Sequence, residues 1–335
     1  MVKIVFEDDS VKPDTDDGVE VNEVDRNAMG GTELMKYGLY ERLDVDLLNK
    51  FQIIPSRVRE IDEDRKNVLW LHDLPWDPES QHLKNGGWDK FDKLVFVSNW
   101  QMQAYNSFSG VPYSAGTVLR NAIEPLPKVD KPNPEDGINI IYHTTPHRGL
   151  EILVPVFVEL AKADKKLTLD VFSSFEAYGW PQRDEPYEEL FQICRDHPQI
   201  NYHGYQPNSV VREALTKAHI FAYPCIWPET SCISLMEAMS AGCFCVHPNL
   251  AALPETSALW TYMYQFHENH QDHANVFGGA LQSVISLLKD LPFYENLKSR
   301  LSMQKQYADA FYSWETRAHE WTGVLTSLLD EEVNE

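Results

Sequence analysis

The chain has 335 residues, 43% hydrophobic and 12% aromatic, enough apolar material for two globular domains and too much for a disordered chain. Its formal charge is −22, from 29 Lys and Arg against 51 Asp and Glu, so non-specific attraction to nucleic-acid phosphates or anionic lipid is disfavoured. No apolar run reaches the roughly 18 residues of a membrane span, and the N-terminus starts directly on a strand pattern, so integral membrane association and a secretory leader are not expected.

Along the chain, Val2-Lys3-Ile4-Val5-Phe6 reads as a strand. The loop from Glu7 to Asp25 holds nine acids, including Asp14-Thr15-Asp16-Asp17. The acids could suggest a D-x-D metal site, but they do not sit on a strand end, and a solvated acidic loop closing over an acceptor is the favoured reading. Gly30-Gly31-Thr32-Glu33 then opens a helical pattern over Leu34–Leu43. Two glycines at a helix N-terminus let the backbone approach an anion or a sugar closely, although such a turn is often purely structural. Strand patterns follow at Phe51–Ile54, Val68–His72 and Leu94–Ser98. The second ends in His72, a candidate hydrogen-bond donor where α/β proteins collect polar side chains, or an ordinary strand-end histidine.

The Pro- and charge-rich stretch from Glu124 to Gly137 interrupts all periodicity and reads as a linker. Beyond it, strands are expected at Ile138–His143, Leu167–Phe172 and Ile200–His203, with helices at His147–Asp164, Tyr187–Asp196 and Ser209–Ala218. Strand and helix alternating at this spacing predict an α/β fold with a parallel sheet covered on both faces. Thr144 and Thr145 lie where a strand ends, and Arg148 falls in what reads as the first turn of the following helix. A cation there opposes the helix dipole and suggests an anionic partner.

Two short buried strands, His219–Pro224 and Ala241–Pro248, enclose Trp227-Pro228-Glu229-Thr230-Ser231-Cys232-Ile233-Ser234-Leu235-Met236-Glu237-Ala238-Met239-Ser240-Ala241-Gly242. Glu229 lies just before a helix that Gly242 ends. Glu237 falls among Ile233, Leu235, Met236, Ala238 and Met239, where a carboxylate is costly unless it is paired. A capping acid plus a surface glutamate is the bland reading of such a pair. From His267 onward the pattern is helical, with Ser313 as N-cap of a last helix that carries Trp314 and Trp321 on one face. The five cysteines all fall in the C-terminal half, Cys243 and Cys245 on one expected strand. Buried reduced thiols in a cytoplasmic protein are therefore expected.

The block from Trp227 to Gly242, with its flanking strands, resembles the signature of family 4 of the retaining, nucleotide-sugar-dependent glycosyltransferases, which have the GT-B fold. There the usual form is P-E-x-F/C-x-x-x-x-x-E-A-M/L-A-x-G-x-P-V-V. The resemblance implies two Rossmann-like doubly wound domains, an acceptor-side domain over residues 1–127 and a nucleotide-sugar domain over 138–311. Residues 128–137 would link them, and a C-terminal helix over 312–335 would cross back to the first.

It further implies site roles. Gly30 and Gly31 would place the donor's phosphates and sugar, and His72 and Glu229 would orient that sugar. Arg148 resembles the cation of the family's Lys-Gly-hydrophobic motif, which binds the departing diphosphate. A second Arg common in the family about five residues earlier is replaced here by Tyr142 or His143, so Thr144 and Thr145 would contribute hydroxyl contacts. Base and ribose would lie near Ser173 and Tyr205, with Glu237 on the ribose hydroxyls and the Thr230-Ser231 backbone facing the diphosphate. The expected donor is UDP- or GDP-linked, the acceptor a glycan hydroxyl, and neither a metal nor a further cofactor is required. A GT-B sugar-nucleotide epimerase and a non-catalytic nucleotide-sugar or glycan-binding protein remain as alternatives.

Overall fold

A computed structural model describes residues 30–330. The strand at residues 2–6 and the acidic loop at 7–25 lie outside the described residues. The first lobe runs α1 (Gly31–Tyr40), α2 (Val45–Leu48), β1 (Phe51–Pro55), β2 (Lys66–Leu71), β3 (Lys93–Phe96), α3 (Asn99–Ser109) and β4 (Gly116–Val118). Its strands form a parallel sheet in the order β1-β2-β3-β4. The apolar runs of β2 and β3 are buried almost end to end, as expected of parallel strands covered on both faces.

The second lobe runs β5 (Ile138–Tyr142), α4 (Leu150–Ala163), β6 (Leu167–Val171), α5 (Glu188–Asp196), β7 (Ile200–Tyr202), α6 (Asn208–Lys217), β8 (Ile220–Ala222), α7 (Ile233–Ser240), β9 (Phe244–Pro248), α8 (Leu253–Ser257), β10 (Tyr262–Tyr264), α9 (His270–Lys289) and α10 (Leu291–Phe311). The strand order is β10-β9-β8-β5-β6-β7, all parallel. The chain winds outward from β5 in one direction through β6 and β7. It then returns to β8 and winds the other way. The switch point of this sheet therefore lies between β5 and β8, and ligands bind at the carboxyl ends of strands at such points.

α11 (Trp314–Asp330) leaves the second lobe and packs on the first. The Ser313 hydroxyl accepts from Thr316 N–H at 3.2 Å, an N-cap that starts the helix. Trp314, Trp321, Leu325 and Leu328 are buried in one cluster with Met35, Leu39, Val68 and Trp70, and the Trp321 ring meets Trp70 edge-on at 4.9 Å. Gly38 permits this approach, because a Cβ there would collide with the Trp314 ring. The two crossings of the chain between lobes run side by side, joined by Ile123 N–H to the Tyr312 carbonyl at 2.7 Å. Among the described residues no helix is long and apolar enough to cross a membrane. All five cysteines are free and buried.

The doubly wound α/β architecture agrees with the sequence, and three local features differ. The helix expected over His147–Asp164 is split: Pro146–Arg148 form one 3-10 turn, Gly149 takes φ of 118°, and α4 begins at Leu150. Arg148 is thus outside the α-helix, and the dipole argument for its partner does not apply. Helix α7 likewise begins only at Ile233, so Glu229 is held by side chains rather than by free N–H groups of the helix. The edge strands β4 and β10, three residues each, are too short to leave a periodic signal.

Candidate active site at the switch point between the lobes

Arg148 leaves β5 and Glu229 leaves β8, so the two chain segments flank the switch point. Gly149 brings them together. Its backbone lies so close to Pro224, just after β8, that a Cβ would strike the Pro224 carbonyl oxygen. Its left-handed φ independently requires glycine. With the segments packed this way, Arg148 Nη1 donates to Glu229 Oε1 at 2.8 Å, and the Tyr223 hydroxyl donates to the same oxygen. Glu229 is only 4% exposed, so the guanidinium compensates a carboxylate that would otherwise be costly to bury. Burial works against the charge on Arg148, but Glu229 outweighs it and holds the guanidinium firmly protonated.

The first lobe closes over this pair. Arg148 Nη2 reaches the Tyr178 hydroxyl at 3.4 Å, and the Tyr178 ring lies where a Cβ on Gly30 would be, 2.6 Å away. A Cβ on Gly31 would lie 3.2 Å from Ile233 Cδ1, at the start of α7. The glycine pair therefore lets the N-terminus of α1 rest directly on the second lobe. On the other side, Thr230 Oγ1 donates to the His72 carbonyl at 2.8 Å. His72 N–H in turn donates to Ser56 Oγ at 2.9 Å. Gly30, Gly31, His72, Arg148, Glu229 and Thr230 thus form one continuous set of contacts between the lobes.

Several buried polar atoms around this set have no protein partner: His72 Nε2, His143 Nε2, Thr145 Oγ1, His147 Nδ1, Arg148 Nε, Ser173 Oγ and Ser231 Oγ. They come from the carboxyl ends of β2, β5 and β6 and from the lead-in to α7. Such a concentration is uncommon in a folded interior and fits a polar ligand. Burial lowers His72 and His143 to about 3, and burial with the nearby Arg148 and Arg183 charges takes His147 to about 3, so all three imidazoles are neutral near pH 7. His147 stacks on Phe175 with ring centres 5.1 Å apart and meets the half-exposed Trp227 edge-on at 4.9 Å.

Glu237 lies deeper and is 5% exposed. Arg212 Nη1 donates to it at 2.8 Å and Asn208 Nδ2 approaches at 3.4 Å. Burial raises its pKa, with Arg212 and Asn208 pulling the other way. Arg212 Nη2 also donates to the Glu124 carbonyl at 2.8 Å, tying the carboxylate to the crossing between lobes. Thr144 is half-buried beside Thr145, while Tyr205 follows β7 at the sheet edge, two strands from β5. Tyr178, Tyr223 and Arg212 were not anticipated from the sequence. They join the glutamates through tertiary contacts that leave no local spacing to read. A cleft of about 600 Å3 lined by Lys131, Asn133, Tyr294, Glu295 and Lys298 lies elsewhere. Lys131 there donates to the Ala218 carbonyl just before β8, at the opposite end of the strands.

Residues 127–276, which carry both glutamates and Arg148, match the profile of the family described as glycosyl transferases group 1. Over these residues the second lobe is similar to the group 1 glycosyl transferases, and the chain has the GT-B fold. Solved structures agree on the fold over the larger part of the chain. The pneumococcal O-GlcNAc transferase GtfA, in complex with UDP and GlcNAc, superposes with a TM-score of 0.61 at 12% identity, over 88% of this chain and 60% of its own. Anabaena Alr3699/HepE, in complex with UDP-glucose, gives 0.59 at 16% identity, over 78% and 72%. A glycosyltransferase from Rickettsia africae gives 0.62 at 12% identity, over 93% and 84%. This chain therefore spans about 60% of the pneumococcal transferase. No curated protein matches the sequence.

Proposed function

We propose that the chain is a retaining glycosyltransferase that moves a sugar from a nucleoside diphosphate, UDP-linked in the first instance, to a hydroxyl of a glycan. The observation that carries this reading is the Arg148–Glu229 pair at the switch point, faced across the lobes by Gly30-Gly31 and His72. The UDP and UDP-glucose held by the pneumococcal and Anabaena proteins support the donor class.

In this reading the bond between the anomeric carbon and the β-phosphate oxygen breaks as the acceptor oxygen attacks from the same face. The acceptor proton passes to a leaving phosphate oxygen, so no enzymic nucleophile or metal is required. Arg148, the Thr230-Ser231 backbone and the N-terminus of α7 neutralise the charge that develops on the diphosphate. Glu229 and His72 hold sugar hydroxyls. His72 is neutral, so it orients through hydrogen bonds rather than by proton transfer. Glu237 holds the ribose hydroxyls, with Thr144, Thr145, Ser173 and Tyr205 around the nucleotide, and the protein works in the cytoplasm.

A thermal-shift screen over uridine, guanosine and adenosine diphosphate sugars, followed by turnover with the radiolabelled donor that binds, tests the reading. Stabilisation by one donor class and release of its diphosphate are expected. Binding without turnover would make the chain a binding protein. Interconversion of the free nucleotide sugar without an acceptor would make it an epimerase.

A further inference from the structure

We propose that Asp73 and Trp76, on the loop leaving β2, form the acceptor subsite and receive a neutral hexopyranoside, its hydroxyls on the carboxylate and its C–H face on the indole. The inference rests on the glycosyl-transfer reading and deepens it, naming residues and a substrate class where the resemblance implies only an acceptor-side domain.

The first observation is backbone strain at Ser56. This residue is 6% exposed and has φ of 63°, a left-handed conformation that is strained for any residue but glycine. Glycine would relieve the strain but would remove the hydroxyl. That hydroxyl takes the His72 N–H at 2.9 Å and lies near enough to the Asp73 carboxyl to pull its pKa down. The strained turn therefore fixes both residues at the carboxyl end of β2.

The second observation is how firmly the Asp73 backbone is held from behind. Its carbonyl accepts from Gln101 Nε2 at 2.9 Å and from the Tyr105 hydroxyl at 3.2 Å. Gln101 is fully buried and also spans Leu71 O and Val97 N, and Tyr105 is anchored to Ser80 at 2.7 Å. Such support from rigid α3 is what a binding carboxylate needs and a solvated loop acid does not. Burial, with Asp77 nearby, raises the pKa of Asp73. A carboxylate accepts about four hydrogen bonds, which suits it to several hydroxyls of one ligand.

Location and shape supply the rest. The adjacent His72 carbonyl takes the Thr230 hydroxyl, so Asp73 stands beside the donor loop but on the opposite lobe. Three residues on, Trp76 is 46% exposed and lies edge to face with Phe108, itself 46% exposed, at 6.1 Å. An exposed apolar ring and a carboxylate three residues apart on one loop offer the two kinds of surface that a pyranose presents, apolar on one face and ringed by hydroxyls. The net charge of −22 disfavours an anionic acceptor.

The test compares wild type with Asp73→Asn, which keeps the side-chain shape, and Trp76→Ala, which removes an exposed ring and little stability. UDP-glucose serves as donor, and para-nitrophenyl glycosides of glucose, galactose and N-acetylglucosamine as acceptors. Each variant is expected to raise acceptor KM by about tenfold or more, the loss of one charged hydrogen bond or one stacking surface, while donor KM holds within about twofold. Unchanged acceptor KM in both variants would overturn the subsite and leave the glycosyl-transfer reading standing. Parallel rises in donor KM would assign Asp73 to the donor and overturn the subsite equally. A wild-type chain that neither binds nor turns over uridine, guanosine or adenosine diphosphate sugars would sink the glycosyl-transfer reading and the subsite with it.

Discussion

Arg148 and Glu229 meet at 2.8 Å although 81 residues separate them, because β5 and β8 are neighbours in the sheet and Gly149 lets their exits touch. Glu229→Gln keeps the shape and a contact for Tyr223 but removes the charge that holds the guanidinium. We expect kcat for transfer to fall by about a hundredfold, in the range seen when one preorganised electrostatic contact is lost at a reacting centre. Stability should fall by about 2 kcal/mol, less than for a fully buried pair, because 22% of the Arg148 side chain still sees solvent. Steady-state kinetics and thermal melts separate the two effects. Unchanged kcat would remove Glu229 from the site.

Gly149→Ala should be the more damaging change for the fold. The new methyl meets the Pro224 carbonyl while the backbone sits at φ of 118°. Backbone strain and steric clash together should cost about 3 kcal/mol or more. The effect should extend to binding, since relief of the clash pushes the Arg148 turn away from β8. Chemical denaturation measures the first, and loss of UDP-induced stabilisation the second. An alanine variant that melts like wild type would show that the approach of the two exits is not needed.

The strand–helix alternation after residue 137 and the run from Trp227 to Gly242 were legible because each is local: apolar strands of a few residues, a small-residue helix, and a glycine to stop it. The last helix could be read from Ser313 and the tryptophan spacing. What could not be read was the pairing. Arg212 is 25 residues from Glu237 and Tyr178 is 30 from Arg148, and no periodicity links such positions. The 3-10 turn at Arg148 was missed for a related reason. Arg148-Gly149-Leu150 reads as a helix start, and only the nearness of Pro224 explains why the glycine takes a left-handed φ. Ser56 carries no sequence signal at all, since its strain follows from how β1 ends against Trp70 and His72.

Glu255 joins the lobes at a second point. One carboxylate oxygen takes Asn99 N–H at 3.0 Å, Asn99 Nδ2 at 2.8 Å and Arg120 Nη2 at 2.9 Å, while the other takes Trp100 N–H at 3.0 Å. An acid on α8 of the second lobe thus caps α3 of the first, where free N–H groups and the helix dipole favour an anion. Glu255→Ala should cost about 1–2 kcal/mol, as for a lost cap, because the carboxylate and Arg120 remain partly solvated. It should also widen the interlobe angle, seen as a larger radius of gyration in solution scattering. An unchanged radius with unchanged stability would mean that α11 and the other contacts between the lobes hold them without Glu255.

The buried imidazoles set the acid limit of the fold. Burial takes His143 to about 3, and burial takes His247 and His273 to about 4, against 6.5 for the free side chain. Between those values and 6.5 the unfolded chain binds protons that the folded chain does not, so stability rises with pH across this window. The contribution is complete above pH 6.5 and is lost as pH falls towards 4. Each group should cost about 1 kcal/mol per pH unit once the pH is well below 6.5. Glu33, Asp73 and Glu237, raised by burial, act in the opposite sense between the ordinary carboxylate value and their own raised ones, where the folded chain keeps protons that the unfolded chain has released. Thermal melts from pH 7.5 to 5 should therefore show Tm falling with acidification, most steeply below pH 6.5. His247→Asn, which keeps a donor for the Pro248 carbonyl at the Nδ1 position, should remove one imidazole's share of a slope to which His72 and His147 also contribute. A flat profile down to pH 5 would mean that these imidazoles take up protons in the folded chain, through a rearrangement that admits water to the carboxyl ends of the sheet.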